Sequence, residues 1–273
     1  MLTGNTGAAA PEQNSASGLH PDISLQRADA SRHGDSRLQY LNTRAADADF
    51  LATAIKRQAQ GHLEILEAGC GRKWPVKLDG VDYTLTGIDL DPEALAARLQ
   101  GVGDLHDAIV GDLCTPGLIP ANKFDVIYSS FVLEHIKDAE IALENMVAGL
   151  KRGGILVLRI PDPYSAHGWT AHHTPFSVHV AYYRYVMGNK NAGKPGFAPY
   201  PTFYAKVVSR QGIRDFCEQH DCTLLEERGT TYYLEKKNLV TFASKIYVQA
   251  LYCLSLGSLA WRHNNLAFVI RKN

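Results

Sequence analysis

The segment LEILEAGCG, from Leu63 to Gly71, decides the fold because it joins a short apolar run to an acid and a glycine-rich turn. A second apolar stretch follows and ends at Asp89. A strand, a glycine turn and a second strand that ends in an acid form the first half of a nucleotide-binding α/β unit. Gly69 and Gly71 allow positive φ angles and close approach to a ligand. Asp89 stands where a carboxylate accepts ribose hydroxyls.

Length and charge limit the class of protein. The 273 residues fit one large α/β domain with additions, or at most two domains. Hydrophobic residues make up 45% and charged residues 21%, which is ordinary for a globular protein with a full core. The 28 Lys and Arg residues balance the 28 Asp and Glu residues, so no net field attracts phosphate backbones. We therefore expect no nucleic-acid partner.

Cysteine usage and the N-terminal composition indicate where the protein works. The five cysteines are scattered and form no CxxC pair, which argues against a disulfide framework and a zinc site. We expect reduced thiols, a cytoplasmic location and no metal. Residues 1–34 are rich in Gly, Ala, Ser and Asn and contain no secretory signal, so they are interpreted as a disordered arm. Residues 35–273 then form the main domain, and no apolar run is long enough to predict a spanning helix.

Apolar periodicity predicts alternating strands and helices. The expected strands are Leu63–Ala68, Tyr83–Asp89, Ala108–Asp112, Phe124–Ser129, Ile155–Ile160, Thr223–Tyr232 and Leu266–Arg271. The expected helices are Leu38–Gln58, Asp91–Leu99, Ile141–Gly154 with its end at Gly153 and Gly154, Arg210–His220 and Leu239–Ser258. Strands separated by helices favour a Rossmann-like, doubly wound α/β fold with a seven-stranded, mostly parallel sheet.

The alternation stops after the fifth strand. Residues 162–208 are rich in His and aromatic residues and are broken by Gly and Pro, so we expect a loop-like cap inserted there. Its histidines are His167, His172, His173 and His179, and its aromatic belt is Tyr182, Tyr183, Tyr185, Phe197, Tyr200, Phe203 and Tyr204. The cap follows a strand at the carboxyl edge, where open α/β sheets bind ligands. It is therefore either the wall of an acceptor pocket or a unit that packs on itself.

Five signatures occur in a fixed order: EAGCG, the acid Asp89, the segment Gly111–Leu113, the stretch FDVIYSSFVLEHI and the introduction LKRGG of the fifth strand. In this order and spacing the chain resembles the class I S-adenosylmethionine-dependent methyltransferases over roughly residues 63–162. The rival class, a nicotinamide dehydrogenase, is disfavoured because GxGxxG would need glycine where Trp74 stands. The chain also departs from the family, since GRKWP replaces the third small residue and the first helix is short or missing.

The resemblance implies S-adenosylmethionine as the cofactor and assigns roles to single residues. Gly69 and Gly71 would lie against its methionine part, with Glu67 fixing the turn and the ammonium side. Asp89 would hold the ribose hydroxyls and Leu90 would pack on adenine. Asp112 would accept a hydrogen bond from the adenine amino group. The backbone N–H of Leu113 would donate beside it. The residues closing the pocket near the sulfonium would be Ser129, Ser130 and Phe131.

Catalytic candidates follow from the position of histidine near the acceptor side. Methyl transfer from a sulfonium requires that the protein align donor and acceptor and keep water out. A base is needed only when the acceptor is a poor nucleophile such as an alcohol. His135 follows the fourth strand and is either a base or a residue that closes the pocket. His167 and His173 are the cap histidines singled out as base or acceptor contacts, because histidine titrates near neutral pH. The other interpretation of all three is structural.

Residues 239–258 are apolar nearly all round, which favours a buried helix or a homodimer contact over a membrane-surface contact. The predicted function is methylation of a small or amphipathic acceptor, with oxygen favoured over carbon or nitrogen, as a step in biosynthesis. One alternative is a lipid, isoprenoid or glycolipid acceptor at a membrane surface. Another is a cofactor-binding regulatory protein that has lost catalysis.

Overall fold

The computed structural model of the protein describes residues 38–186, 188–194, 199–203, 205–232 and 239–273. The predicted arm, residues 1–34, lies outside the described residues, as do Phe197 and Tyr204 of the aromatic belt.

All seven predicted strands are present in one sheet, and a short eighth strand precedes them. The bounds are β1 (Gln39–Leu41), β2 (Leu63–Ala68), β3 (Tyr83–Asp89), β4 (Asp107–Val110), β5 (Phe124–Ser130), β6 (Leu150–Pro161), β7 (Cys222–Thr230) and β8 (Asn265–Lys272). Neighbours follow the order β1-β7-β8-β6-β5-β2-β3-β4. β8 is antiparallel to β6 and β7, and the other pairs are parallel. The doubly wound, mostly parallel sheet is confirmed.

The prediction of one helix from Leu38 to Gln58 is wrong at its start. Residues 39–41 form β1, which pairs with residues 228–230 at the edge of the sheet. The first helix, α1, is Arg44–Lys56, and the Thr43 hydroxyl caps it by accepting from the amide of Ala46 at 3.1 Å. The cap fixes the start of the helix and leaves the preceding residues extended, where the sheet edge offers them backbone partners.

The next two helices also differ from their predicted bounds. α2 is Pro92–Ala96, capped by Asp91, and it continues as a π-helical turn over Ala97–Val102. α3 is Ala139–Gly149 and ends before the glycines that were expected to stop it. The chain becomes extended at Leu150 because this residue already pairs with Phe124 of β5.

Helices cover both faces of the sheet and create two apolar cores. Alternating strand residues point to opposite faces, as Ile65 and Leu66 of β2 illustrate. Ile65 packs in a cluster with Leu51 and Ile55 of α1. Leu66 belongs to the other cluster, which includes α3 and the helix α6 (Arg210–Gln219). The sheet therefore offers its carboxyl edge, rather than a face, for ligand binding.

The segment after β6 is helical rather than loop-like. It contains α4 (Ala166–His173), α5 (Phe176–Ala181) and a π-helical turn, Tyr182–Val186. Ser165 caps α4 by accepting from the amide of Gly168 at 2.9 Å. The Ser165 hydroxyl also donates a hydrogen bond to the carbonyl of Asp162. These two hydrogen bonds compensate for a sequence of poor helix formers. The boundaries of the cap, residues 162–208, stay a prediction.

The late apolar helix, α7, is Leu239–Leu254. Its expected burial is wrong, since Val248 is the single buried residue among its described side chains. It contacts α4, with the hydroxyls of Tyr247 and Thr170 3.0 Å apart. In the described part of the chain, no helix has both the length and the apolar character needed to cross a bilayer.

Candidate active site

The glycine turn lies at the carboxyl end of β2 and is held against the end of β3. The amides of Gly69 and Cys70 both donate to the carbonyl of Ile88, at 2.8 and 3.0 Å. Gly69 and Gly71 have φ angles of 72° and 50°, which residues with a Cβ rarely adopt. A Cβ on Gly69 would lie 2.3 Å from Val132, whereas a Cβ on Gly71 would meet nothing within 4 Å. The backbone at Gly71 therefore faces open space.

A fully buried guanidinium joins the first acid of the site to this turn. Arg98 donates to Glu67 Oε2 at 2.6 Å and to the carbonyl of Cys70 at 2.9 Å. Its other nitrogens donate to the Asp104 carboxylate at 3.0 and 3.2 Å. Burial raises the pKa of Glu67 to about 8, against the opposing effect of Arg98. Glu67 is thus tied to the turn through Arg98, while its role toward an ammonium group stays a prediction.

The carboxylate of Asp89 is oriented by two backbone amides at the end of β3. Oδ2 accepts from Gly71 at 2.7 Å and Oδ1 accepts from Asp91 at 2.9 Å. Each oxygen keeps a lone pair for a further donor. The adjacent Leu90 is 70% exposed, so its apolar side chain is available to a ligand. This pair is arranged as a ribose and an adenine contact require.

The end of β4 lies beside Asp89. The amide of Gly111 donates to the carbonyl of Asp89 at 3.1 Å. Asp112 is exposed, and its Oδ1 accepts from the amide of Cys114 at 2.9 Å. Leu113 is buried, and its carbonyl accepts from the Asn145 amide group at 2.8 Å. The two predicted adenine contacts therefore lie on one ordered turn next to the predicted ribose contact.

The end of β5 adds a buried hydroxyl to the same edge. Ser129 pairs in register with Ala68 at the end of β2 and is fully buried. Its Oγ has no hydrogen-bond partner among the described residues. Ser130 is half-buried, and Phe131 has a φ angle of 58°. A strained non-glycine residue at the edge of a sheet is typical of functional sites.

The residues assigned to the cofactor therefore converge on the carboxyl ends of β2, β3, β4 and β5. The edge supplies an open glycine backbone, oriented carboxylates, an exposed apolar side chain and a buried hydroxyl without a described partner. A cofactor with a ribose, an adenine and a zwitterionic methionine needs these groups. The residues present thus fit S-adenosylmethionine, although each individual contact stays a prediction.

Sequence analysis missed a polar cluster that supports this edge. Arg159 of β6 lies 3.0 Å from the carboxylate of buried Asp47 and donates to the hydroxyl of Tyr232 at 2.5 Å. Its guanidinium also lies 4.7 Å from the ring centroid of Phe131. The cluster joins α1, β6 and the end of β7 beneath the strained residue. The arginine within ILVLRI was its only visible sequence signal.

A cavity of about 300 Å³ lies next to the turn that follows β5. Its walls come from the Leu133–His135 turn after β5, the end of β6, α4, α5 and residues 199–203. The aromatic residues in the wall are Phe176, Tyr183, Tyr200 and Phe203. Tyr182 and Tyr185 of the predicted belt are exposed and do not belong to the wall. The cap thus contributes four aromatic side chains to a pocket that also includes residues of the turn after β5.

His135 is the one predicted catalytic histidine that lines this cavity. Its Nδ1 lies 2.7 Å from the carbonyl of Pro201. Because a carbonyl can only accept, Nδ1 carries the hydrogen and Nε2 is left as an acceptor. Nε2 faces Glu134 Oε1 at 3.9 Å. Its roles as base or as pocket closure both stay open.

The other two candidates do not line the cavity. His167 lies on α4 and is half-buried, and burial lowers its pKa. His173 is exposed and stacks on Trp169, with ring centroids 4.2 Å apart. Its Nδ1 lies within hydrogen-bond distance of the Trp169 carbonyl, at 2.8 Å. The cap histidine in the wall is His179, and Glu134 is the buried acid there. The position of each histidine around its helix decides which one faces the cavity. A segment predicted as a loop gives no such positions.

Two comparisons of sequence point to one class of enzyme. Residues 66–158 match a family model described as a methyltransferase domain. Over 118 residues the chain is 30% identical to trans-aconitate 2-methyltransferase from Klebsiella pneumoniae (strain 342). That match covers 42% of this chain and 44% of the relative, so the chain spans less than half the length of the curated relative it matches.

Solved structures share the fold at low identity. A Listeria monocytogenes protein assigned as an S-adenosylmethionine-dependent methyltransferase is 14% identical, with a TM-score of 0.55 over 83% of this chain and 98% of that chain. The cyclopropane synthase MmaA2 from Mycobacterium tuberculosis is 14% identical, with a TM-score of 0.50 over 84% of each chain. Residues 66–158 thus match a methyltransferase domain, and the chain shares the fold of solved S-adenosylmethionine-dependent methyltransferases.

Proposed function

We propose that the protein transfers a methyl group from S-adenosylmethionine to a small or amphipathic acceptor, with oxygen favoured over carbon or nitrogen as the methylated atom. The observation that carries the proposal is the cavity of about 300 Å³, whose wall includes Glu134 and His135 on the turn directly after β5, the strand that carries Ser129 and Ser130. Its volume is in the range of small-molecule sites. The cytoplasmic location is part of the same proposal.

The cofactor would supply a methyl group that is already activated by its bond to a sulfonium. What remains for the chain is to orient the acceptor and to exclude water. Residues 199–203 help with both, because the amide of Phe203 donates to the carbonyl of Glu134 at 2.7 Å. This bond joins the cap segment to the turn after β5 and brings aromatic walls to the acceptor side.

The charges in the wall favour an acceptor that is not an anion. Of the described lining residues, the ionisable ones besides tyrosine are Glu134, His135 and His179, and none is lysine or arginine. A tricarboxylate such as the one in the relative's name would place like charge beside Glu134 without a described cationic partner. An acceptor with an uncharged aromatic or apolar body suits the wall better.

The test blocks the cavity and leaves the cofactor edge intact. Ala171→Trp on α4 introduces an indole into the wall. We expect turnover of neutral hydroxylated compounds to fall about a hundred-fold because the acceptor can no longer align. Calorimetry should give the same affinity for S-adenosylmethionine as in the wild-type protein. Release of S-adenosylhomocysteine with a panel of phenols, alcohols, amines and carboxylates measures turnover.

Ser177→Trp is the matched control, because Ser177 is exposed on the neighbouring helix α5 and does not line the cavity. It should keep full turnover. Loss of turnover in this control but not in Ala171→Trp would place the acceptor elsewhere. A wild-type protein that does not bind the cofactor would refute the proposed activity. Binding without turnover of any compound would favour the regulatory protein instead.

A membrane-surface acceptor is the second candidate, and the exposure of α7 favours it. Leu239, Phe242, Ile246 and Leu254 expose between 53% and 81% of their surface. Such a contiguous apolar face is typical of an interaction site. The wild-type protein should then float with phosphatidylcholine vesicles, and Phe242→Glu with Ile246→Glu should abolish flotation without changing cofactor affinity. Wild-type protein that stays out of the vesicle fraction would refute this candidate, and a concentration-dependent mass would indicate a homodimer.

A further inference from the structure

Glu134 lies in the wall of the cavity, close in sequence to Ser129 and Ser130 at the end of β5. It belongs to the one-turn helix Leu133–His135, which directly follows β5. Val132, two residues earlier, is the residue that prevents a Cβ at Gly69. The hydrogen bond from Phe203 fixes the main chain of Glu134, so the side chain has a defined origin.

The carboxyl group of Glu134 is buried, and one of its two oxygens has no hydrogen-bond partner among the described residues. The residue is 6% exposed, and its Oε2 meets no donor among the described residues. Its Oε1 lies 3.9 Å from His135 Nε2, beyond hydrogen-bond range. The other titratable side chains of the wall are His179 from α5, Tyr183 from the turn after it and Tyr200 from the cap segment. A buried carboxyl oxygen without a donor costs free energy unless a ligand supplies one.

We propose that Glu134 is the catalytic base of the acceptor site and that the acceptor is an uncharged phenol or enol whose hydroxyl donates to the Glu134 carboxylate. This inference rests on the proposed methyltransferase function and adds to it the class of acceptor and the residue that receives its proton. The aromatic wall suits a flat ring, and the acid rejects carboxylates.

The acidity of Glu134 supports this role. Burial raises its pKa to about 7, with a small opposing effect of a backbone hydrogen bond. A base with this pKa is ionised in part at neutral pH and strong enough to assist a phenol, whose own pKa is about 10. An aliphatic alcohol is far less acidic and gains less from such a base.

His135 is less suited to take the proton. Its acceptor nitrogen, Nε2, faces Glu134 Oε1 at 3.9 Å, and its ring is held at Nδ1 by the Pro201 carbonyl and packs edge-on to Tyr200 with centroids 5.7 Å apart. His179 is likewise engaged, because Nε2 lies 3.1 Å from the carbonyl of Ala171. These contacts make both histidines parts of the wall, and they leave Glu134 as the group with an oxygen that has no described donor.

The reaction balances with the two substrates alone. The acceptor oxygen forms a bond to the methyl carbon as the bond between that carbon and sulfur breaks, and the electron pair of the broken bond stays on sulfur. The acceptor O–H bond breaks, and its proton passes to the carboxylate of Glu134. The products are a methyl ether and a neutral thioether, and Glu134 later releases the proton to water. No oxidant or metal takes part in these steps.

The experiment measures ligand binding to the full chain without cofactor. The probes are 4-ethylphenol, its methyl ether 4-ethylanisole, and 4-ethylbenzoate, followed by ligand-observed NMR between pH 5.5 and 8.5. We expect the wild-type affinity for 4-ethylphenol to rise about ten-fold with pH, because the carboxylate form accepts a stronger hydrogen bond. The affinity for 4-ethylanisole should stay constant, and 4-ethylbenzoate should bind weakest at high pH.

Glu134→Gln should remove the pH dependence, and Glu134→Asp, which keeps the carboxylate, should retain it. Ala171→Trp should abolish binding of all three probes, which identifies the cavity as their site. The inference is overturned if Glu134→Gln keeps the wild-type profile, if the wild-type profile is flat, or if 4-ethylphenol does not bind. Calorimetry with S-adenosylmethionine distinguishes failure of the methyltransferase proposal from failure of the Glu134 proposal. If the wild-type protein does not bind S-adenosylmethionine, the methyltransferase function is refuted whatever the probes do.

Discussion

Replacing Arg98 with methionine is expected to lower the free energy of unfolding by about 3–5 kcal/mol, the usual loss when one partner of a buried ion pair is removed. Arg98 is fully buried and connects Glu67, Asp104 and the carbonyl of Cys70 at 2.6–3.2 Å. Methionine fills similar space but leaves the Glu67 carboxylate buried without its partner. Urea unfolding followed by circular dichroism measures the change.

The loss should depend on pH in a defined direction. Arg98 lowers the pKa of Glu67, so its removal raises that pKa further above the unfolded value. A carboxyl whose folded pKa is raised becomes destabilising as pH rises through the range between the two values. The variant should therefore be closer to the wild-type stability at pH 5 than at pH 9.

Two variants separate this effect from general disturbance. Adding Glu67→Gln to the methionine variant removes the buried charge and should recover part of the lost free energy at high pH. Arg72→Met is the matched control, because Arg72 is exposed and pairs with Asp91 at 3.2 Å. Such a surface pair contributes at most about 1 kcal/mol. A change of less than about 1 kcal/mol in Arg98→Met would contradict the predicted role of the cluster.

The strands and the cofactor edge were predictable because their signals are local. Buried parallel strands show as short apolar runs, and the glycine turn and Asp89 lie at the ends of two such runs. Parallel strands that alternate with helices bring their carboxyl ends to one edge. The sequence alone therefore predicts that four residues lie together at this edge, namely Gly69, Asp89, Asp112 and Ser129.

The supporting residues were not predictable because their partners are far away in the chain. Asp47 and Arg159 are ordinary charged residues in sequence, and they become a buried pair only when α1 packs beside β6. Arg98 is one charged residue within the predicted helix Asp91–Leu99, yet it is fully buried and donates to the carbonyl of Cys70 in the glycine turn. Side chains that a sequence places on an exposed face gain partners through tertiary packing.

The cap was misjudged for a different reason. Glycine, proline and histidine are poor helix formers, so residues 162–208 predicted loops. Side-chain caps and packing on α7 override that weak preference, as the capping bond of Ser165 and the contact of Thr170 with Tyr247 illustrate. Because a loop has no helical periodicity, the sequence alone does not separate His179, which lines the cavity, from His173, which does not.

Replacing Asp89 with alanine is expected to weaken binding of S-adenosylmethionine by at least about a hundred-fold. Hydrogen bonds to a charged group contribute about 1.5–3 kcal/mol each, and the loss of two ribose contacts gives about 3 kcal/mol or more. The carboxylate also orients the turn, since it accepts from the amides of Gly71 and Asp91. Alanine therefore removes both the contact and the order of the turn, and isothermal calorimetry measures the combined loss.

Asp89→Asn separates these two contributions. The amide keeps one oxygen acceptor and the shape of the side chain, so the turn can stay ordered while the charge is lost, and the affinity should fall by an intermediate factor. Asp82→Ala is the control for net charge, because Asp82 is exposed and directly precedes the start of β3, at the other end of the strand from Asp89. It should bind the cofactor like the wild-type protein. An affinity of Asp89→Ala equal to that of Asp82→Ala would show that this carboxylate does not hold the ribose, and the assignment of the whole edge to the cofactor would then have to be revised.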